Sequence, residues 1–414
     1  MRRGQGSAAP VLAVGDVKEL KDALAETVAS RTRLELCAKG SRRHLGRPVE
    51  AEKVLDISAL NGITNYEPDE LVLMAKAATP LAEILKTLDE AGQMLAFDPP
   101  LGAETIDEAK GTIGGVLATN LSGPRRMVAG AARDYLLGFQ AVSGRGESFQ
   151  SGSRVMKNVT GYDLSKLMAG SFGTLAVMHD ITIKTMPKPQ DASSLVCFTD
   201  TAASAQKLIR DAFASPYEPS SAAIVPADLL IFSRVEGVRD AGEKGVAAII
   251  RIEGFDISVR DRVSGITRVL DSPQQPLCLG GEDSDLLQME LRETLLLPRQ
   301  TNRVIWKISC PAAAGGVLLD RLTSRPNSLG YADWGGGLIW LNHPEGGDAG
   351  AEIIRGMLSE YGGHATLYEA SENIRRLVPV FHPQPAALHD LTRRVKASFD
   401  PLGLLNPGRM YEGV

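Results

Sequence analysis

The sequence predicts an α+β chain of more than one domain, on three observations. Its 414 residues exceed the ~150 typical of a single domain. Strand-like and helix-like segments follow one another in mixed order, with no repeat of fixed period. The texture changes after the proline-rich break Met186-Pro-Lys-Pro189, the best linker candidate. Residues 1–10 read as a flexible tail, 11–190 as a first domain, 191–384 as a second, and 385–414 as a terminal helical segment.

Taken in order, residues 16–30 carry leucine and valine at helical spacing, and 34–38 form a short strand running into a turn at Lys39-Gly40-Ser41. Residues 54–57 and 71–75 are further strands. A helix opens at Thr79-Pro80-Leu81, with Thr79 as its cap and Pro80 in its first position. Leu81, Ile84, Leu85 and Leu88 make its apolar face, and Gly92 suits its stop. Residues 98–130 are small and loop-rich, whereas 135–142 and 175–185 are strand-like. In the second half, strands are expected at 195–199, 246–253, 303–309 and 364–369, and helices at 201–214, 284–297 and 348–361.

Composition narrows the function. Hydrophobic residues make up 43%, as in a packed globular protein. The 45 basic and 50 acidic residues are well mixed, so the net charge of −5 leaves no footprint for nucleic acid. Cys37, Cys197, Cys278 and Cys310 are scattered and form no C-x-x-C pair. Neither an iron–sulfur cluster nor a zinc ribbon is supported, and reduced cytoplasmic thiols are expected. No signal peptide and no run of ~20 apolar residues for a membrane span is apparent.

Three glycine-rich stretches carry the chemistry: Gly111-Thr-Ile-Gly-Gly-Val-Leu-Ala-Thr-Asn-Leu-Ser-Gly-Pro124, Lys157-Asn-Val-Thr-Gly-Tyr-Asp-Leu164 and Gly170-Ser-Phe-Gly-Thr-Leu175. Without a Cβ, glycine lets backbone amides approach a ligand, and clustered amides bind phosphate oxygens. A large phosphorylated cofactor is the natural reading. No glycine pair is followed by the Lys-Ser/Thr of a P-loop, and Gly144-Arg-Gly146 lacks the third glycine of a dinucleotide turn. ATP on a P-loop and NAD on a Rossmann turn are therefore poor readings.

The arrangement resembles the FAD-binding domain of the vanillyl-alcohol oxidase / p-cresol methylhydroxylase (PCMH) flavoprotein superfamily, over residues 10–190 and the tail at 400–409. The resemblance rests on the Gly111–Gly123 run and on the block from Val155 to Val177. Within the superfamily, Trp334-Gly-Gly-Gly-Leu-Ile-Trp-Leu341 is similar to the FAD-binding E subunits of glycolate oxidases. It implies a two-subdomain FAD domain, then an α+β cap with an antiparallel sheet, with the C-terminal tail returning to the FAD domain. The histidine-rich H-x-G-D-G-N-x-H segment of the catalytic D subunits and D-lactate dehydrogenases is missing, and His343-Pro-Glu-Gly-Gly347 is at best a remnant.

The resemblance also assigns residues. Ala38, Lys39, Gly40, Ser41 and Arg42 would wrap the pyrophosphate, with Lys39 or Arg42 adding charge. Thr112, Ile113, Gly114 and Gly115 would supply further backbone donors, and Thr119 and Asn120 would reach flavin or ribose atoms. Gly161, Tyr162, Asp163, Gly170, Gly173 and Thr174 would line the flavin's other side, and Asn406 would close it, with Pro100, Gly123 and Val177 completing the site. Some superfamily members tether flavin to a histidine in the first loop; His44 falls later than that position, so FAD is expected to be non-covalent and His44 a surface residue. The implied chemistry is oxidation of a 2-hydroxy acid such as glycolate to the 2-oxo acid. The implied partners are a second FAD-containing subunit and an iron–sulfur subunit, with membrane contact only through them. A stand-alone oxidase and a non-catalytic assembly subunit are the alternatives.

Blander readings stand beside these. Lys39 and Arg42 suit solvated positions, and Tyr162 suits the core. Trp306, Trp334 and Trp340 suit core packing, with one at an interface. His343 and His364 lack a second ligand at helical spacing, so no metal site is expected. Arg303 and Lys307 share a strand face that suits a carboxylate ligand, but a solvated face is the favoured reading. No catalytic base is identified.

Overall fold

In the computed structural model, residues 9–152 and 162–414 are described. Three sheets of three or more strands organise the described residues. A parallel three-stranded sheet places Lys53–Asp56 between Val11–Ala13 and Leu34–Cys37. An antiparallel five-stranded sheet runs in the order Ile63–Glu67, Val72–Lys76, Ala176–Lys184, Leu136–Ser143, Ser148–Gly152. The eight-stranded sheet draws only on residues after 190, and each of its neighbouring pairs is antiparallel. It ends with Arg303–Ser309 beside the edge strand His364–Glu369. The fold is thus α+β with antiparallel sheets.

Apolar alternation accounts for where the cores lie. Leu73, Ala75, Ile181 and Ile183 of the five-stranded sheet pack on Leu81, Ile84 and Leu88 of the helix Leu81–Glu90. The two faces of the eight-stranded sheet are both covered, one through Trp306 and Ile308, the other through Ile305 and Trp340.

Several expectations are revised. Thr79 does not cap the helix that follows; its hydroxyl bonds the Gly62 and Lys76 carbonyls instead. Pro80 is itself the cap residue, because its ψ of 136° keeps it extended. The stretch at 98–130 holds a helix, Ile113–Thr119. Its glycines weaken helix propensity, but the Thr112 side chain caps the Gly115 amide, and Ile113, Val116 and Leu117 are buried at helical spacing. The helix expected at 284–297 runs from Gly281 to Arg292. In the terminal segment only Ala386–Phe399 is helical. The break at Met186 is not a free linker: Met186–Pro187 pairs with Gln93–Met94, and the Lys188 amide bonds the Gly92 carbonyl.

The C-terminus folds back onto the first sheet. The Leu34 amide bonds the Leu404 carbonyl, and the Asn406 amide bonds the Leu34 carbonyl. Lys396, 4% exposed, anchors the return by donating to the Thr174 and Leu405 carbonyls and to Asp400 Oδ2. A Cβ at Gly144 would lie 2.4 Å from Asp400, so this glycine admits the tail rather than a dinucleotide.

Candidate functional site

An open cleft runs between the end of the strand Leu34–Cys37, the start of the helix Ile113–Thr119 and the returning tail. Its walls include Ala38, Lys39, Gly40, Ser41, Arg42, Thr112, Gly114, Gly115, Thr119, Gly173 and Asn406. Pro100, Ile113, Asn120, Gly123, Gly170, Thr174 and Val177 stand outside its lining. Asp163 caps the short helix Leu164–Met168, and Tyr162 is 91% exposed rather than packed in a core. Gly161 lies outside the described residues.

Among the described residues, the amides of Ala38, Lys39, Gly40, Ser41 and Arg42 donate to no protein acceptor. Five successive free N–H groups on a turn with Gly40 at φ 69° form a concave set of donors suited to an anion. The Arg42 side chain is held over the cleft by a 2.7 Å bond from Nη2 to the Pro100 carbonyl. Its Nε is buried without a partner, an orphan donor that an anionic ligand would satisfy. Lys39 is exposed at the rim.

The first turn of the helix behaves differently. The Ile113 amide bonds the Thr79 carbonyl, Gly114 bonds the Ala77 carbonyl at 2.8 Å, and Gly115 bonds Thr112 Oγ1. These amides are spent inside the protein, so the glycines serve approach rather than donation. A Cβ at Gly114 would lie 2.7 Å from the Ala77 carbonyl oxygen, and one at Gly111 2.5 Å from Ser41 Oγ. The helix is therefore pressed against the strand and the first loop.

Asn406 clamps the opposite wall. Its Oδ1 accepts from the Leu36 amide at 2.7 Å, and its Nδ2 donates to the Phe172 carbonyl at 2.7 Å. Gly173, at φ 69°, leaves no room for a Cβ beside Asn406 Nδ2. The other two named polar residues serve the helix: Thr119 Oγ1 back-bonds to the Gly115 carbonyl, and Asn120 Oδ1 accepts from the Arg133 amide.

Sequence reasoning missed Arg409, which lines the cleft and donates to the Arg42 carbonyl. Burial, partly offset by Glu35, pushes its guanidinium down to about 10, which marks a cation short of counter-charge. The signal was within reach, because Arg409 closes the same tail motif as Asn406. Leu36, Ile57, Ala77, Ala118, Ala176 and Met178 add apolar wall and carry no motif of their own.

The basic pair on the later strand divides. Arg303 is used structurally, bonding Asn342 and the Asn327 carbonyl. Lys307 is not on a solvated face; it lines a second cavity with Arg126, Trp334 and His364. Trp334 is the interface tryptophan, since its Nε1 donates to the Gly123 carbonyl at 2.9 Å, while Trp306 and Trp340 are buried in the cores. His343 bonds Ser328 and joins no metal cluster among the described residues. His44 is exposed, edge-on to Tyr368 at 6.3 Å.

Comparison with known proteins identifies the family. A family model described as an FAD binding domain matches residues 8–152. The chain is 33% identical over 387 residues to the glycolate oxidase subunit GlcE of Escherichia coli (strain K12), covering 93% of this chain and 95% of that one. It is 28% identical over 198 residues to the glycolate oxidase subunit GlcD of Bacillus subtilis (strain 168), covering 47% and 41%. The fold matches 4-ethylphenol oxidase from Gulosibacter chungangensis with a TM-score of 0.71 at 13% identity, over 97% of this chain and 89% of that one. With a free-amide cradle facing a glycine-packed helix, and a relative similar along nearly the whole length, the chain belongs to the GlcE family of FAD-binding glycolate oxidase subunits.

Proposed function

We propose that the chain is the FAD-holding subunit of a complex that oxidises glycolate or a related 2-hydroxy acid. The observation that carries the site assignment is the row of amides from Ala38 to Arg42, unpaired among the described residues, beside the orphan Arg42 Nε. On this reading those groups hold the diphosphate, Gly114 and Gly115 let the helix lie close, and Asn406 fixes the tail as the far wall. Residues 11–190 with 385–414 act as the cofactor domain, and 191–384 as the cap. Bound non-covalently there, FAD supplies a two-electron acceptor. The apolar wall of Ala77, Ala118, Ala176 and Met178 excludes water from it.

The names of the relatives, two lettered subunits of a glycolate oxidase, support a multi-subunit assembly. We assign this chain a second FAD-containing partner and an iron–sulfur partner that takes the electrons on. No helix among the described residues is long and apolar enough to cross a membrane, so membrane contact is assigned to the partners.

The test is direct. The purified chain should take up FAD and release it on acid denaturation. It should stay yellow with glycolate until its partners are added. A chain that remains colourless after incubation with FAD would sink the cofactor site. A flavin retained after denaturation would overturn non-covalent binding. Bleaching by glycolate without partners, with peroxide released in air, would favour a stand-alone oxidase.

A further inference from the structure

Beside the cofactor cleft lies a cavity of about 150 Å³. The two share Thr119 and Phe172 as walls. Its floor is the edge of the eight-stranded sheet, where Lys307 pairs with Thr366 and Ser309 with His364. Directly paired residues point to one face, so these four side chains and Tyr368 converge on the cavity. From the first domain, Arg126 reaches in and stacks over the Trp334 ring at 4.3 Å.

The charge there is one-sided. Lys307 Nζ stands 5.3 Å from the Trp334 ring centre and 5.7 Å from that of Trp340. Neither Lys307 nor Arg126 forms a side-chain hydrogen bond or an ion pair with any described residue, and no Asp or Glu lines the cavity. Both cations are partly buried, and the one acid acting on Lys307 is Asp333, whose own carboxyl burial raises to about 7; such a pair is costly unless an anion completes it. Aromatic faces compensate only in part, at about 0.5–2 kcal/mol for each contact.

We propose that this cavity is an anion site of the chain itself, in which Lys307 and Arg126 hold the carboxylate of a small 2-hydroxy or 2-oxo acid beside the cofactor cleft. The anion site rests on the two cations; naming the acid rests on the functional reading above. Burial, with Arg126 adding to it and Asp333 only partly opposing it, pushes the Lys307 amine down to about 8. The site's position implies that the subunit meets a hydroxy acid directly and is more than a scaffold for its partners.

Trp334 reports occupancy. In the full chain, with and without added FAD, glycolate and the unreactive dianion oxalate should change tryptophan fluorescence saturably. Lys307→Met and Arg126→Met should each weaken the response at least tenfold while FAD uptake persists, which shows that the variants fold. Lys307→Arg, keeping the charge, should retain it. No response in the wild-type chain, a response to inorganic phosphate but to neither carboxylate, or unchanged affinity in both Met variants would overturn the proposal. Failure to take up FAD would overturn the functional reading alone, because the fluorescence reads this cavity without flavin.

Discussion

Arg42 and Lys307 are both cations whose surroundings leave them incomplete, and each makes a sharp expectation. Arg42→Ala removes the orphan Nε and the bond to Pro100, but buries no new void in a core. A charge-assisted bond to phosphate contributes about 1.5–3 kcal/mol, so FAD affinity should fall roughly ten- to a hundredfold with the melting temperature of the FAD-free chain little changed. Flavin fluorescence titration measures the first and calorimetry the second. Lys307 predicts a pH profile. The groups around it are Arg126 from the first domain, His364 and Tyr368 from the edge strand, and Asp333 beside Trp334. Burial lowers His364, leaving it neutral near pH 7. Burial raises the Asp333 carboxyl to about 7, so it gains negative charge as pH rises through that value. Lys307 loses positive charge through about 8. Both changes repel an anion, so glycolate affinity should fall about tenfold between pH 7 and 9. A flat profile would remove Lys307 from the site.

At the scale of one element, the helix Ile113–Thr119 separates two adjacent glycines. At Gly114 a Cβ would meet the Ala77 carbonyl oxygen at 2.7 Å, so Gly114→Ala must push helix from strand. It should cost about 1–3 kcal/mol. At Gly115 the nearest atoms to a Cβ are Thr112 Oγ1 at 3.5 Å and Arg42 Cγ at 3.7 Å, an ordinary contact. Gly115→Ala should therefore keep stability or raise it by up to about 1 kcal/mol, while narrowing the cleft and weakening FAD uptake. Urea unfolding and flavin titration of the two variants should show opposite patterns. The same element shows what was hard to read in the sequence. Its glycines argued for a loop. A single threonine cap and three buried apolar side chains outweighed them, and that burial depends on strands distant in sequence.

The two halves of the molecule are joined by buried ion pairs. Arg125, from the first half, bonds Glu253 at 2.6 Å, and Glu253 also accepts from Arg251 at 2.8 Å. Burial pushes the Glu253 carboxyl up, but Arg125 and Arg251 outweigh it and hold it at about 2. A carboxyl depressed in the folded state contributes stability above its unfolded pKa and loses it as pH falls. Here that is about 3 kcal/mol, lost between roughly pH 4.5 and 2. Glu253→Gln takes the carboxylate from Arg125, while Arg251 keeps Asp285 and Ser284, and should cost about 3–5 kcal/mol at neutral pH, read as a lower denaturant midpoint. In this variant the acid-induced loss between those pH values should shrink by a similar amount.

The α+β order of elements was legible in the sequence, and the resemblance to PCMH-type flavoproteins implied FAD, with the first loop and the tail as expected walls of its site. Apolar periodicity and clustered glycines are local signals, and they reach an element order and a phosphorylated cofactor; FAD itself and the role of Asn406 come from the resemblance. Tertiary packing settles which donors lack a partner among the described residues. The amides of Ala38–Arg42 follow a strand end and meet no acceptor among the described residues, whereas those of Ile113–Gly115 are spent on Thr79, Ala77 and Thr112. It also decided that Lys307 faces a cavity and Arg303 does not, although alternation puts both on one strand face. Arg303 sits where Asn342 accepts its hydrogen bonds, and Lys307 sits between two indole rings opposite an arginine from the other half of the chain. Hydrogen-bond satisfaction and counter-charge are properties of neighbours, and neighbours distant along the chain leave no periodic trace in the sequence.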